Sequence, residues 1–109
     1  LFLEALQSVP TSCRVAVICL TDELALGLAA VARRLGRAAQ VAAVSFGCDT
    51  PALRAELAQP DSCLIGSVNL HPERYGRGLV DTALRLLDGE PVPPAVFIEH
   101  SFLSREGAA

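Results

Sequence analysis

The chain has 109 residues, of which 51% are hydrophobic and 19% charged, and its net charge is −3. That length fits one domain or part of one, and that composition supports a packed core and excludes an intrinsically disordered chain. No apolar run approaches the roughly 20 residues of a membrane-spanning helix, and the negative balance argues against a nucleic-acid-binding surface within these residues.

The elements follow one another regularly. Phe2 to Ser8 reads as the tail of a helix, stopped by Pro10. Arg14 to Leu20 is a short, nearly continuous apolar run rich in Val and Ile, the pattern of a strand buried on both faces. Asp22 follows in the N-cap position of a helix whose Leu24, Leu28, Val31 and Leu35 recur at helical spacing, with Gly36 ending it. Val41 to Phe46 reads as a second buried strand. Thr50 and Pro51 start a short helix through Leu53 and Leu57, ended by Pro60-Asp61. Cys63 to Val68 reads as a third strand. Pro72 starts a long helix with the face Leu79, Ala83, Leu84 and Leu87, closed by Gly89. Pro91, Pro93 and Pro94 form a stiff connection, and Ala95 to Leu103 reads as a fourth strand. Strands alternating with helices of this length predict an α/β fold, a parallel sheet with flanking helices.

The chemistry-bearing residues are sparse. Cys13, Cys19, Cys48 and Cys63 include no Cys-x-x-Cys pair, and the chain has two histidines, so no metal site is expected. Cys19 and Cys63 sit in apolar runs and read as small buried hydrophobes. There is no Gly-x-Ser-x-Gly elbow, phosphate-binding glycine loop or His-Glu-x-x-His run. No enzyme activity and no cofactor is expected from these residues. Glu73 suits the first turn of its helix, and Arg33, Arg34 and Arg37 read as a solvated cluster at a helix C-terminus. In an open α/β sheet ligands bind beyond the carboxyl ends of the strands. Three places qualify: Thr21-Asp22, Ser45-Phe46-Gly47-Cys48-Asp49, and Asn69-Leu70-His71. Asp22 reads first as a helix cap, Asp49 equally as an Asx-type turn residue, and His71 as a solvent-exposed turn residue.

Three pieces in the right order carry a family resemblance. They are Thr21-Asp-Glu-Leu-Ala-Leu-Gly27 opening a helix, Val41-Ala-Ala-Val-Ser-Phe-Gly47 ending a strand, and Ser67-Val-Asn-Leu-His-Pro-Glu-Arg-Tyr-Gly76 leading through a helix to Pro91-Val-Pro-Pro94. From about Val15 to Leu103 the chain resembles the C-terminal portion of the sugar-binding core of type 1 periplasmic binding proteins and lactose-repressor-type regulators. The resemblance implies a two-lobed fold of which this is one part. About residues 1–70 would belong to the C-terminal lobe, about 71–95 to a helix packing on an N-terminal lobe outside this chain, and about 95–105 to the last strand. With no methionine in the sequence, Leu1 is not read as a translation start, and a fragment is expected.

The resemblance also implies a ligand site. Many members carry Asn where this chain has Thr21, and its side chain hydrogen-bonds a sugar hydroxyl. Members often place Gly-Phe-Asp at the second strand end. Phe46 matches the aromatic that packs on the sugar, Gly47 stands where the Asp would be, and Asp49 lies two residues on. Asn69 is the counterpart of an amide that contacts sugar in some relatives. The implied ligand-binding set is therefore Thr21, Asp22, Phe46, Gly47, Asp49 and Asn69.

The function implied is binding of a small sugar in the cleft between two lobes, as the solute-binding component of a sugar ABC transporter. The alternative is the effector-binding domain of a lactose-repressor-type regulator. An ABC permease or operator DNA would be engaged only through parts outside this chain, and a homodimer is compatible with either reading. The first reading implies a periplasmic or extracellular setting, the second a cytoplasmic one. Four cysteines tilt slightly towards the second. A stand-alone flavodoxin-like or response-regulator-like module would need paired acids at the first strand end, and the sequence has none there.

Overall fold

Residues 1–108 are described by a computed structural model. Strands β1 (Val15–Cys19), β2 (Val41–Gly47) and β3 (Leu64–Asn69) are the three apolar runs, and they pair in that order, all parallel. Helix α1 (Phe2–Ser8) precedes them, α2 (Asp22–Arg34) joins β1 to β2, and α3 (Pro51–Leu57) joins β2 to β3. Helix α4 (Pro72–Leu87) leads to β4 (Ser101–Ser104), which pairs antiparallel with β3, and the short α5 (Arg105–Ala108) follows. The α/β sheet with flanking helices expected from sequence is present. The last strand departs from expectation: it covers Ser101–Ser104 rather than Ala95 to Leu103, and it runs against the other three.

The helix boundaries have local causes. The Thr21 hydroxyl accepts the Leu24 N–H, so Thr21 is the N-cap of α2 and Asp22 its first helical residue. This corrects the expectation that Asp22 caps the helix. Thr50 caps α3 in the same way, with Pro51 behind it. Gly36 and Gly89 follow α2 and α4 at φ 66° and 72°, the left-handed conformation that ends a helix and favours glycine.

One face of the sheet holds the core. Inward residues of the strands (Cys19, Ala43, Leu64) meet Leu28, Ala29, Leu53 and Leu57 of α2 and α3, and Leu6 of α1 joins them. Arg33 ties the helices together by pairing with Glu56 and Asp61. Arg37 departs from the solvated reading. Its guanidinium is buried and donates to the carbonyls of Leu6 and Pro10, pinning the end of α1 to the turn after α2. The opposite face carries Ile18, 70% exposed, with Phe46 and Phe102. Burial on both faces, expected from the apolar runs, is therefore realised on one.

Helix α4 stands apart from this body. None of its residues is buried, and Leu87 is 83% exposed. A globular chain of this length has a radius of gyration of roughly 13 Å; here it is 18.4 Å, with extents of 61 × 29 × 17 Å. The excess is the arm formed by α4 and the connection back to β4. Among the described residues no helix is long and apolar enough to cross a membrane.

Candidate functional site

The carboxyl ends of β1, β2 and β3 lie side by side, because the parallel register pairs Cys19 with Ser45, Ser45 with Ser67, and Gly47 with Asn69. Leu70 N–H donates to the Gly47 carbonyl (2.9 Å), extending the pairing beyond the strands. Thr21, Asp22, Gly47 and Asn69 thus share one edge of the sheet.

Their roles differ. Asp22 is 4% exposed. Its Oδ1 accepts from the hydroxyls of Ser45 (2.7 Å) and Ser67 (2.8 Å), and its Oδ2 accepts from the Cys48 N–H (3.2 Å). A charge is costly to bury unless hydrogen bonds replace its hydration. Three donors and a position in the first turn of α2 supply that replacement. Phe46, 37% exposed, belongs to the row Phe46–Val68–Phe102 on the sheet face away from α2 and α3. Asn69 Oδ1 accepts the His71 N–H (3.0 Å), bracing the turn after β3.

Asp49 turns away from the edge. It sits at φ 55°, and its carboxylate takes a two-pronged contact from Arg54 (2.6 and 2.7 Å). The Arg54 guanidinium holds the Asp49 carboxyl below the usual carboxylate range, and nearby His71 adds to the effect. Ionised Asp49 therefore contributes stability above its unfolded pKa of about 4, and that contribution is lost as pH falls through the lower folded value. Both partners are partly exposed, so Asp49→Asn is expected to cost less than about 1 kcal/mol at neutral pH. It should also flatten the acid limb of stability, as read by urea titrations at a series of pH values.

His71 is not the exposed turn residue expected from sequence. It is partly buried at φ 50°, with Nδ1 3.0 Å from Glu73 Oε1 and Nε2 2.8 Å from Ser101 Oγ. The Glu73 carboxyl is held below its usual range by its own backbone N–H and by His71. Tyr75 Oη and His100 Nε2 lie 3.0 Å apart. Both histidines therefore lie where the chain leaves the body and where it returns.

Ser45 and Ser67 are the residues that sequence reasoning missed. The available signal was a hydroxyl at an inward position of an apolar strand, which needs a buried partner. All four cysteines are free. Burial pushes the Cys19 and Cys63 thiols up, as small buried hydrophobes should behave, while Cys13 and Cys48 are exposed. Among the described residues no group of three or more His, Cys, Asp or Glu is arranged for a metal ion. An open groove of about 540 Å³ runs along the arm, lined by Tyr75, Leu79, Thr82, Leu86, Val96 and Ile98. It is apolar and lies away from the strand ends, so it offers little to a polyhydroxylated ligand.

This architecture recurs in solved structures. One is a periplasmic solute-binding protein of an ABC transporter from Actinobacillus succinogenes 130z with bound D-allose. It is 14% identical, with a TM-score of 0.78 over 98% of this chain and 36% of that one. Another is an ABC sugar transporter subunit from Rhodobacter sphaeroides 2.4.1, 18% identical, with a TM-score of 0.80 over 96% of this chain and 37% of that one. At these identities the likeness is one of fold, and the chain spans little more than a third of either protein. Among curated proteins none matches. The family profile of the periplasmic binding protein-like domain matches residues 1–104, nearly the whole chain, and the chain belongs to that family.

Proposed function

We propose that the intact protein binds a small carbohydrate in a cleft between two lobes, as the solute-binding component of a sugar ABC transporter. This chain supplies one lobe, within about residues 1–70, and the last strand, within about 95–105. The helix within about 71–95 packs on the other lobe. The observation that carries this reading is the shared fold with two transporter proteins, one with D-allose bound and the other a sugar transporter subunit. The exposed apolar face of α4 is consistent with it, since Leu79, Leu84 and Leu87 are 71%, 54% and 83% exposed.

A sugar presents hydroxyls around an apolar C–H face, so it is matched by an aromatic surface beside short polar groups. Phe46 supplies the first, and Thr21 and Asn69 the second. Asp22 supports the edge from within, Asp49 is engaged by Arg54, and Gly47 contributes backbone. Calorimetry of the full-length protein with a panel of monosaccharides that includes D-allose tests this. Phe46→Ala is expected to weaken binding roughly tenfold, the scale of one well-placed aromatic contact, and Asn69→Ala comparably. Unchanged affinity in folded variants would reject the site, and no binding by the wild type would reject the ligand class.

The second reading, an effector-binding domain of a lactose-repressor-type regulator, is favoured by four free thiols, which suit a reducing compartment. The sequence preceding Leu1 in the intact protein discriminates: a signal peptide supports the transporter, a helix-turn-helix the regulator.

A further inference from the structure

The carboxylate of Asp22 and a side chain at position 47 compete for one volume. A Cβ built on Gly47 would overlap the Asp22 carboxylate, with even the farther oxygen at 2.6 Å. Carbon atoms do not approach so closely, so one group must yield. Here Gly47 yields, and the carboxylate reaches past it to the Cys48 N–H while holding Ser45 and Ser67. Asp22 thereby joins four segments: the start of α2, the inner rows of β2 and β3, and the turn after β2. Hydroxyls 23 and 45 residues away in sequence share one of its oxygens.

We propose that Asp22 is a positioning residue for the ligand site, and that Gly47 is the complement that lets it act. Resting on the sugar-binding reading, this places Asp22 behind the surface that meets ligand. Through Ser45 and Cys48 N–H it sets the strand end that carries Phe46. Through Ser67 it sets the β3 end that carries Asn69, two residues on. A carboxylate at position 47 would displace the one that already organises the edge. The single buried acid of this edge therefore reaches it from α2, not from β2.

Four variants of the full-length protein test the proposal: Asp22→Asn, Asp22→Ala, Gly47→Ala and the double variant Gly47→Ala with Asp22→Ala. Asp22→Asn is the conservative variant, because its amide can turn Oδ1 to the Cys48 N–H and donate from Nδ2 to the two serine hydroxyls, which also accept; Asp22→Ala removes all three hydrogen bonds. In Asp22→Ala the Cys48 amide is expected to exchange with solvent roughly tenfold faster or more, since local opening governs exchange. Affinity for whichever monosaccharide the wild type binds in calorimetry is expected to fall roughly tenfold with the fold intact. Gly47→Ala should reproduce both effects. The double variant should be less damaged in thermal midpoint than the two single losses summed, because the new methyl enters vacated space. An Asp22→Ala protein with unchanged Cys48 exchange and affinity within about twofold of wild type would overturn the proposal, as would strict additivity in the double variant. If no sugar binds the wild type, the sugar reading fails, and the exchange and melting measurements alone decide whether Asp22 positions the edge.

Discussion

Replacing Gly66 with valine is expected to detach β4 from the sheet. A Cβ at Gly66 would overlap the Leu103 carbonyl oxygen and lie 2.5 and 2.7 Å from carbons of the Phe102 ring. The ring could swing aside, but the carbonyl belongs to the paired backbone, where Gly66 faces Ser104 and Ser67 faces Leu103. Relief therefore requires the strands to separate. Overpacking of this kind costs about 1–3 kcal/mol, and the loss spreads. The hydrogen bonds from Arg105 to the Ser62 carbonyl and from Arg54 to the Gly107 carbonyl, which seat α5, depend on β4 being in place. Limited proteolysis should cut Gly66→Val between about residues 95 and 108 while β1 to β3 stay protected. A wild-type cleavage pattern would show that the sheet absorbs the side chain.

Leu28→Ala and Leu79→Ala are expected to differ sharply although the substitution is chemically identical. Leu28 is 1% exposed between α2 and the sheet. Truncating a buried leucine removes its transfer energy and leaves a cavity, a loss of about 2–5 kcal/mol. Leu79 on α4 is 71% exposed, and in the 109-residue chain its truncation should change stability by less than about 0.5 kcal/mol. In the full-length protein the same Leu79→Ala should become costly if α4 packs on a second lobe. Denaturant unfolding of both variants in both chains makes the comparison. A small effect of Leu79→Ala in both chains would argue against α4 as part of a lobe interface.

Much of the fold was legible because the information was local. The three parallel strands stand out as apolar runs, and α3 is announced by Thr50 and Pro51. The family was legible from three motifs in order. What escaped depends on partners distant in sequence. Thr21 and Asp22 are both good capping residues. The choice between them falls to Ser45 and Ser67, which draw the Asp22 carboxylate inward. Arg37 reads as a solvated end-of-helix charge until α1 and the segment after it bring two carbonyls to it from 31 and 27 residues away. The fourth strand was overextended because Ala95 to Ile98 look like strand residues, yet pairing with β3 begins at Ser101. The site was partly legible for the same reason. Strand ends can be read from a sequence, but the direction in which Asp49 turns was fixed by Arg54.

Two covalent connections join the arm to the body, one outward at Leu70–His71 and one inward at His100–Ser101. They run close enough for His71 to reach Ser101 and for Tyr75 to reach His100. A single tether behaves as a ball joint and leaves three rotations free. Two tethers side by side behave as the paired pins of a door. Swivelling would twist them about each other, and tilting within their common plane would stretch one and slacken the other. The motion left without strain is a swing about the line through both crossings. Anything packed on the arm would inherit that single swing and meet the strand ends in the same alignment at each approach.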